Sequence, residues 1–354
     1  MRALLISWMV VCAPQAFAAT TTYVPAGGNL QRAINSAAAG DTILLQAGAT
    51  FVGNFVLPVH AGSDFVTIRS SAPSSALPAE GTRVTPSFAG ALARIQSPNS
   101  MAAMMTRPGA HHYVLQFLEF GPNAGGYGDI VQLGDGSSAQ NTLADVPHDL
   151  VVDRCYIHGD PAAGQKRGIA LNSASSNILN SYISDIKAVG QDSQAIAGWN
   201  GPGPYTIANN YLEAAGENFL LGGADPAIPN LVPSDVTFSG NYLSKPLIWR
   251  GQSWSVKNVL ELKNAQRVVI DGNTIENNWA AAQAGYAVLF TPRNQSGTAP
   301  WSVVQHVQFT NNVVRHVSSA INILGTDNLN PSQPTNDIVV RNNLFDDVSA
   351  AKYG

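Results

Sequence analysis

Cysteine, charge and long apolar runs are what this sequence has least of. Of its two cysteines, Cys12 lies in a stretch built like an export signal: Met1 and Arg2, an apolar run from Ala3 to Ala13, then Ala16, Phe17 and Ala18 as an A-x-A cleavage site. The expectation is removal of residues 1–18 and a secreted single domain, periplasmic or extracellular, over residues 19–354. The bulky Val10 and Val11 before Cys12 disfavour lipid attachment. Cys155 then stands alone, so no intramolecular disulfide can form and stability must come from buried area and backbone hydrogen bonds. Charged residues make up only 12% of the chain and the net charge is −4, which excludes the basic surface a nucleic-acid partner needs. No second apolar run approaches the length of a membrane helix, so no helical span is expected. His60, His111, His112, His306 and His316 lack H-x-x-x-H or Cys/His spacing, and the sequence predicts no metal site.

What the sequence does have is a repeat. From Asp149 onward a unit recurs: an alternating apolar strand, a polar turn that often ends in Asn, then another apolar residue. It reads LVVDRCYI around Cys155, ILNSYI around Ser181, TIANNYL around Asn210, TFSGNYL around Asn241, VIDGNTI around Asn273, QFTNNVV around Asn312 and VVRNNLF around Asn343. A unit of roughly thirty residues cannot bury its own hydrophobic side, whereas copies stacked every ~4.8 Å pair each strand with neighbours on both sides and close a shared core. Asn at the turn tolerates left-handed backbone, and its amide reaches the Asn of the next coil. Seven equivalent positions cannot all be one active site, so these residues read as a structural ladder.

A second strand follows each of the first six ladder positions: GIALNS, QAIAGW, ENFLLGG, VLELKN, YAVLFT and AINILG. Alternation turns Leu260 and Leu262 inward and Glu261 and Lys263 outward, and likewise Ile321 and Ile323 inward and Asn322 outward. Tight two-residue turns are absent, which favours parallel strands over hairpins. Near the N-terminus Asn29 caps a predicted helix whose apolar face is Leu30, Ala33, Ile34 and Ala37, ended by Gly40 and Asp41 and placed to plug the open end of a solenoid. At the other end the chain stops at Gly354 just after the Asn343 turn, with no capping helix expected, which predicts a truncated C-terminus.

The helix, the GDTILL turn, the FVTIRS strand and the Asn-bearing coils resemble the pectin-lyase-like superfamily of right-handed parallel β-helices, over essentially all of the mature chain. The resemblance implies an all-β solenoid acting on a polysaccharide, by a lyase, hydrolase, epimerase or non-catalytic adhesin. The polygalacturonase motifs NTD, GHG and RIK are absent, although Asp346 and Asp347 are adjacent. The pectate lyase R-x-P-x-x-R element is absent too. Asp145, Val146, Pro147, His148 and Asp149 match the D-P-H-D box of mannuronan epimerases except for the extra Val. Glu261 and Lys263 are similar to the acid and Lys of lyases that use calcium. The family's two-Glu spacing is missing, so Ca2+ is the one cofactor the resemblance leaves open.

The chemistry of elimination selects the candidate residues. A uronate lyase removes the C5 proton, made acidic when the neighbouring carboxylate is neutralised, and helps the C4 oxygen depart. On successive second strands or their flanks lie Asp192, Glu217, Glu261 with Lys263, and Arg293, and stacking would bring them to one groove. Lys263 is the candidate base: partial burial or nearby Arg293 would lower its pKa, and Glu261 would oppose that. The same two residues also fit an ordinary surface ion pair. Lys166 and Arg167 in the loop before Gly168, Trp199 as a sugar-stacking ring, and Asn322 complete the expected substrate contacts. In the alternative chemistry Glu217 and Glu261 are the paired carboxylates of a glycoside hydrolase. A non-catalytic carbohydrate-binding or surface protein is the third reading, and a monomer is expected in each.

Overall fold

The computed structural model describes residues 18–354; the expected export signal lies outside them except for Ala18. The strands form three sheets of eleven, ten and nine strands, and every pairing between them is parallel. One coil shows the plan. The strand His148–Asp153 belongs to the first sheet, Tyr156–His158 to the second and Arg167–Leu171 to the third, after which the chain returns to the first sheet one rung further on. The molecule is a parallel β-helix.

Alternation explains the core. In the strand Ser234–Ser239, Val236 and Phe238 are buried while Asp235 and Thr237 face solvent. Parallel register then stacks like on like: Val152, Ile178, Ile207, Phe238, Ile270 and Phe309 occupy one inward row of the first sheet, each buried. Rows of this kind from all three sheets merge into one apolar core running from Val24 to Val317. No coil closes it alone, which is why the hydrophobic pattern must repeat.

The ladder occupies the corner between the first and second sheets. The Asn273 side-chain oxygen accepts the backbone N–H of Asn241 at 2.9 Å, and Asn312 Oδ1 accepts the N–H of Asn273 at 2.9 Å. The same bond links Ser181 to Asn210, Asn210 to Asn241 and Asn312 to Asn343, with Ser181 Oγ serving Cys155 at the start. The left-handed residue is not the ladder residue, as the sequence reading had it, but the one before it. Arg154, Asn180, Asn209, Gly240, Gly272, Asn311 and Asn342 have φ between +50° and +66°. The sharp bend is made one step early, and this points the ladder side chain inward along the stack.

Both ends differ in detail from expectation. The helix Leu30–Ser36 forms with Asn29 Oδ1 accepting the Arg32 N–H at 2.9 Å, and it buries Leu30 and Ile34 in the main core. It stops at Ser36, short of Gly40, because Ala37 is already extended and Asp41 instead accepts the Ala38 N–H. After the last strand a four-residue helix, Ala350–Tyr353, packs Tyr353 against Trp249, Val256 and Trp279, where none was expected. Among the described residues no helix is long and apolar enough to cross a membrane.

Candidate functional site

The outward face of the third sheet carries the polar residues that its alternation excludes from the core. Register aligns Asp129, Arg167, Gln194 and Glu217 on four consecutive rungs. Stacked ~4.8 Å apart, they join end to end. Arg167 donates to Asp129 Oδ1 at 2.7 Å and to Gln194 Oε1 at 2.9 and 3.1 Å, and Gln194 donates to Glu217 Oε2 at 2.9 Å. Lys257 closes the row, with its Nζ 2.9 Å from Glu217 Oε1 and 2.7 Å from Asp192 Oδ2. Burial opposes the charge on Lys257, but Glu217 and Asp192 together hold its pKa well above the ordinary lysine value.

A groove of about 250 Å³ opens beside this row, floored by Ala197 and Leu220 and walled by Lys166, Arg167, Asp192, Gln194, Trp199 and Lys263. The Trp199 indole donates to the Gly136 carbonyl at 2.8 Å, and the Arg167 guanidinium lies 5.0 Å from the ring centre. Position 136 must be glycine for this to happen: a Cβ there would sit 2.1 Å from the indole. Five of the nine residues expected from sequence therefore meet in one place: Lys166, Arg167, Asp192, Trp199 and Lys263. The other four do not line the groove.

Glu217 and Glu261 leave the core, as alternation requires, yet neither reaches solvent: their exposures are 0% and 2%. Glu261 takes a hydrogen bond from Asn258 at 3.1 Å and lies 3.5 Å from Lys263 Nζ, so the acid of the ion pair is covered while Lys263 stays open to the groove. Burial raises the Glu261 pKa; Lys263 pulls it back and Glu217 pushes it further up. Arg293 was expected to act on Lys263, but only its backbone N–H touches that residue, at the Lys263 carbonyl. Its guanidinium is held by buried Asp327 at 2.6 Å and by Asn328 at 3.0 Å. Asn322 pairs with Leu289, itself opposite Glu261, and so stands two rungs beyond the Glu261 strand.

Lys245 was missed altogether. It is fully buried behind Glu217, and its Nζ donates to the carbonyls of Ala214, Ala215 and Gly216 at 2.8–2.9 Å and to Asn218 Oδ1 at 3.1 Å. Burial pulls its pKa down to about 7, against the opposing pull of Glu217. No sequence pattern marks it, because three of its four acceptors are backbone oxygens of the preceding coil. Trp249 and Trp279 are buried in packing and Trp301 donates to the Leu231 carbonyl, whereas Trp199 lines the groove.

The acids around the groove are engaged by cations: Asp129 by Arg167, Asp192 and Glu217 by Lys257, and Glu261 by Lys263. No acid pair is left to hold Ca2+ there. Among the described residues, the one set of three metal-type donors close together is His112, His148 and Asp149 on the first sheet.

A search with the sequence finds no matching family model and no match among curated proteins. The structure does have counterparts. The PL6 family alginate lyase AlyGC superposes with a TM-score of 0.52 at 11% identity, over 86% of this chain and 40% of that one. The Streptococcus pneumoniae surface protein and adhesin PfbA gives 0.51 at 11% identity, over 93% and 90%. This chain has the parallel β-helix fold. The catalytic domain of a GH87 α-1,3-glucanase in complex with nigerose is a further counterpart of this β-helix, at 0.50 and 14% identity over 96% and 67%. Such identities show a shared fold, and the differing descriptions of the three proteins show that the β-helix alone does not choose an activity.

Proposed function

We propose that this β-helix is a secreted protein that acts on an acidic polysaccharide by β-elimination, with Lys263 as the proton-abstracting base. The observation that carries the reading is the composition of the groove, where Lys166 and Arg167 stand with Lys263 and Trp199 around an apolar floor. The cations Lys166 and Arg167 suit a uronate carboxylate, and a flat aromatic beside a shallow floor suits a pyranose ring. In the proposed step the C5 proton passes to the Lys263 amine, the C5–H electron pair becomes the C4–C5 double bond, and the C4–O bond breaks. The departing oxygen is protonated by solvent. Lys166 and Arg167 would stabilise the charge that develops on the carboxylate. Glu261, covered beside Lys263, is a positioning residue in this scheme, and so is Glu217 through Lys257.

Burial also argues against the hydrolase alternative. Paired carboxylates must both reach the glycosidic bond, whereas Glu217 is sealed beneath Gln194 and Lys257 and Glu261 beneath Asn258 and Lys263. The alginate lyase and the adhesin among the structural counterparts agree with a carbohydrate ligand or a surface role. The test is a panel of uronate-containing and neutral polysaccharides. Absorbance from unsaturated products, lost at least 100-fold in Lys263→Ala with unchanged circular dichroism, is the expected result. New reducing ends without that absorbance would overturn elimination, and binding without any product would make the protein an adhesin-like binder.

A further inference from the structure

The first sheet carries a second cluster, remote in sequence reasoning because its members are joined by register and not by spacing. His148 pairs with His111 on the neighbouring rung, which aligns the next residues, Asp149 and His112. Both of these have left-handed backbone, φ +54° and +56°, a bend that recurs at the same step in Ser175, Asp235, Arg267, His306 and Asp337. The bend therefore throws equivalent side chains to one side, one rung apart. Elsewhere along this corner it makes simple pairs: Asp235 with Arg267 at 2.7 Å, and His306 with Asp337 at 2.7 Å.

At His111, His112, His148 and Asp149 two such steps coincide and give a two-by-two array of donors. His148 Nδ1 is 2.6 Å from Asp149 Oδ2, His112 Nε2 is 3.8 Å from the same oxygen, and His111 Nδ1 is 2.8 Å from His112 Nδ1. The rings of His111 and His148 stack 5.0 Å apart. One donor atom each from His112, His148 and Asp149 lies within 4.8 Å of the others, and all three residues are half-buried. A fifth member, His60, packs its ring 5.0 Å from that of His111, and its Nε2 is buried with no hydrogen-bond partner.

We propose that this corner binds one Zn2+ ion through His112, His148 and Asp149. Two imidazoles and a carboxylate are donors that zinc takes, and three protein ligands leave a fourth tetrahedral position for water. Imidazole favours zinc-like transition ions over calcium. Bonds of about 2.0–2.2 Å in a tetrahedron set ligand atoms roughly 3.4 Å apart, so the 2.6 Å pair of His148 and Asp149 opens and the 3.8 Å pair of His112 and Asp149 closes a little, changes that half-buried side chains make by rotation. The ion would clip two coils of the β-helix together, so its effect is on stability and is independent of chemistry in the groove.

The test uses untagged full-length protein freed of metal by a chelator and titrated with ZnCl2 in a calorimeter. One equivalent should bind and raise the unfolding midpoint. His148→Ala and Asp149→Asn should each weaken binding at least tenfold and abolish the rise, while His306→Ala, at the equivalent simple pair, should change neither. Absence of stoichiometric binding would overturn the proposal, and so would wild-type affinity in both variants. If His148→Ala does not fold by circular dichroism, the isosteric Asp149→Asn decides the matter alone.

Discussion

Replacing Asn273 by leucine tests the β-helix at its corner, and the structure fixes what would be lost. The Asn273 side-chain oxygen accepts two bonds from the preceding coil, from Asn241 N at 2.9 Å and from Asn241 Nδ2 at 3.1 Å. Its amide donates to Asn312 Oδ1 at 2.9 Å and to the Phe238 carbonyl at 3.0 Å. The residue is 1% exposed, so water cannot replace these partners. Leucine would leave at least the two Asn241 donors unsatisfied, at roughly 1–3 kcal/mol each, or about 2–6 kcal/mol together. Because the left-handed bend lies at Gly272, none of this cost is backbone strain at position 273. Chemical denaturation, with the midpoint and slope fitted together, is the assay. Asn343→Leu is the internal control: Asn343 accepts from Asn312 at 2.8 and 3.0 Å but occupies the last rung, where solvent reaches it, and the cost should be visibly smaller. Equal midpoints for wild type and Asn273→Leu, or a larger loss at Asn343, would refute the ladder as a source of stability.

Other outcomes follow from the groove and its surroundings. Lys245→Met should destabilise by on the order of 3 kcal/mol, since three carbonyls and Asn218 Oδ1 lose their donor; denaturation midpoints measure it. Burial places the folded Lys245 pKa at about 7, below its ordinary 10.5, so between those values the unfolded chain binds more protons and Lys245 makes stability rise with pH. The difference in pH slope between wild type and Lys245→Met isolates that contribution, and identical slopes would count against a lowered pKa. Gly136→Ala should expel the Trp199 indole from beside Arg167 and weaken polysaccharide binding with little change in fold, readable in tryptophan fluorescence. Intact-mass analysis of exported protein should begin at Ala19, and retention of Met1 would remove the export signal from the proposal.

The fold was legible because it is periodic. Each of the seven ladder positions, from Cys155 to Asn343, could be read from one strand-turn-strand pattern, and hydrogen bonds join all seven in that order. The same pattern misled on one point, because an Asn-Asn pair does not say which member bends. At 209–210, 311–312 and 342–343 the first member is left-handed and the second is the rung, while at 240–241 and 272–273 Gly takes the first place and makes the assignment plain. Buried polar Cys155 at the head of the ladder is a packing residue too: burial pushes its thiol up to about 12, and it donates to the Leu115 carbonyl.

The site was legible only as far as alternation reaches. Alternation tells which residues leave the core, and Glu217, Glu261 and Lys263 do leave it; it does not tell what lies over them. Glu217 is covered because Gln194 and Lys257 come from other coils and meet on it, and Arg293 is taken away from Lys263 because Asp327, thirty-four residues later, lies one coil further on. The histidine cluster was invisible for the same reason, since His112 and His148 are neighbours only through the pairing of their strands. In a β-helix, chemistry is assembled across rungs ~4.8 Å apart from residues some thirty positions apart in sequence. The informative relation is therefore strand register and not a motif: Asp129, Arg167, Gln194 and Glu217 form one row although 38, 27 and 23 positions separate them, because the variable length of each coil is taken up in the loops and not in the strands.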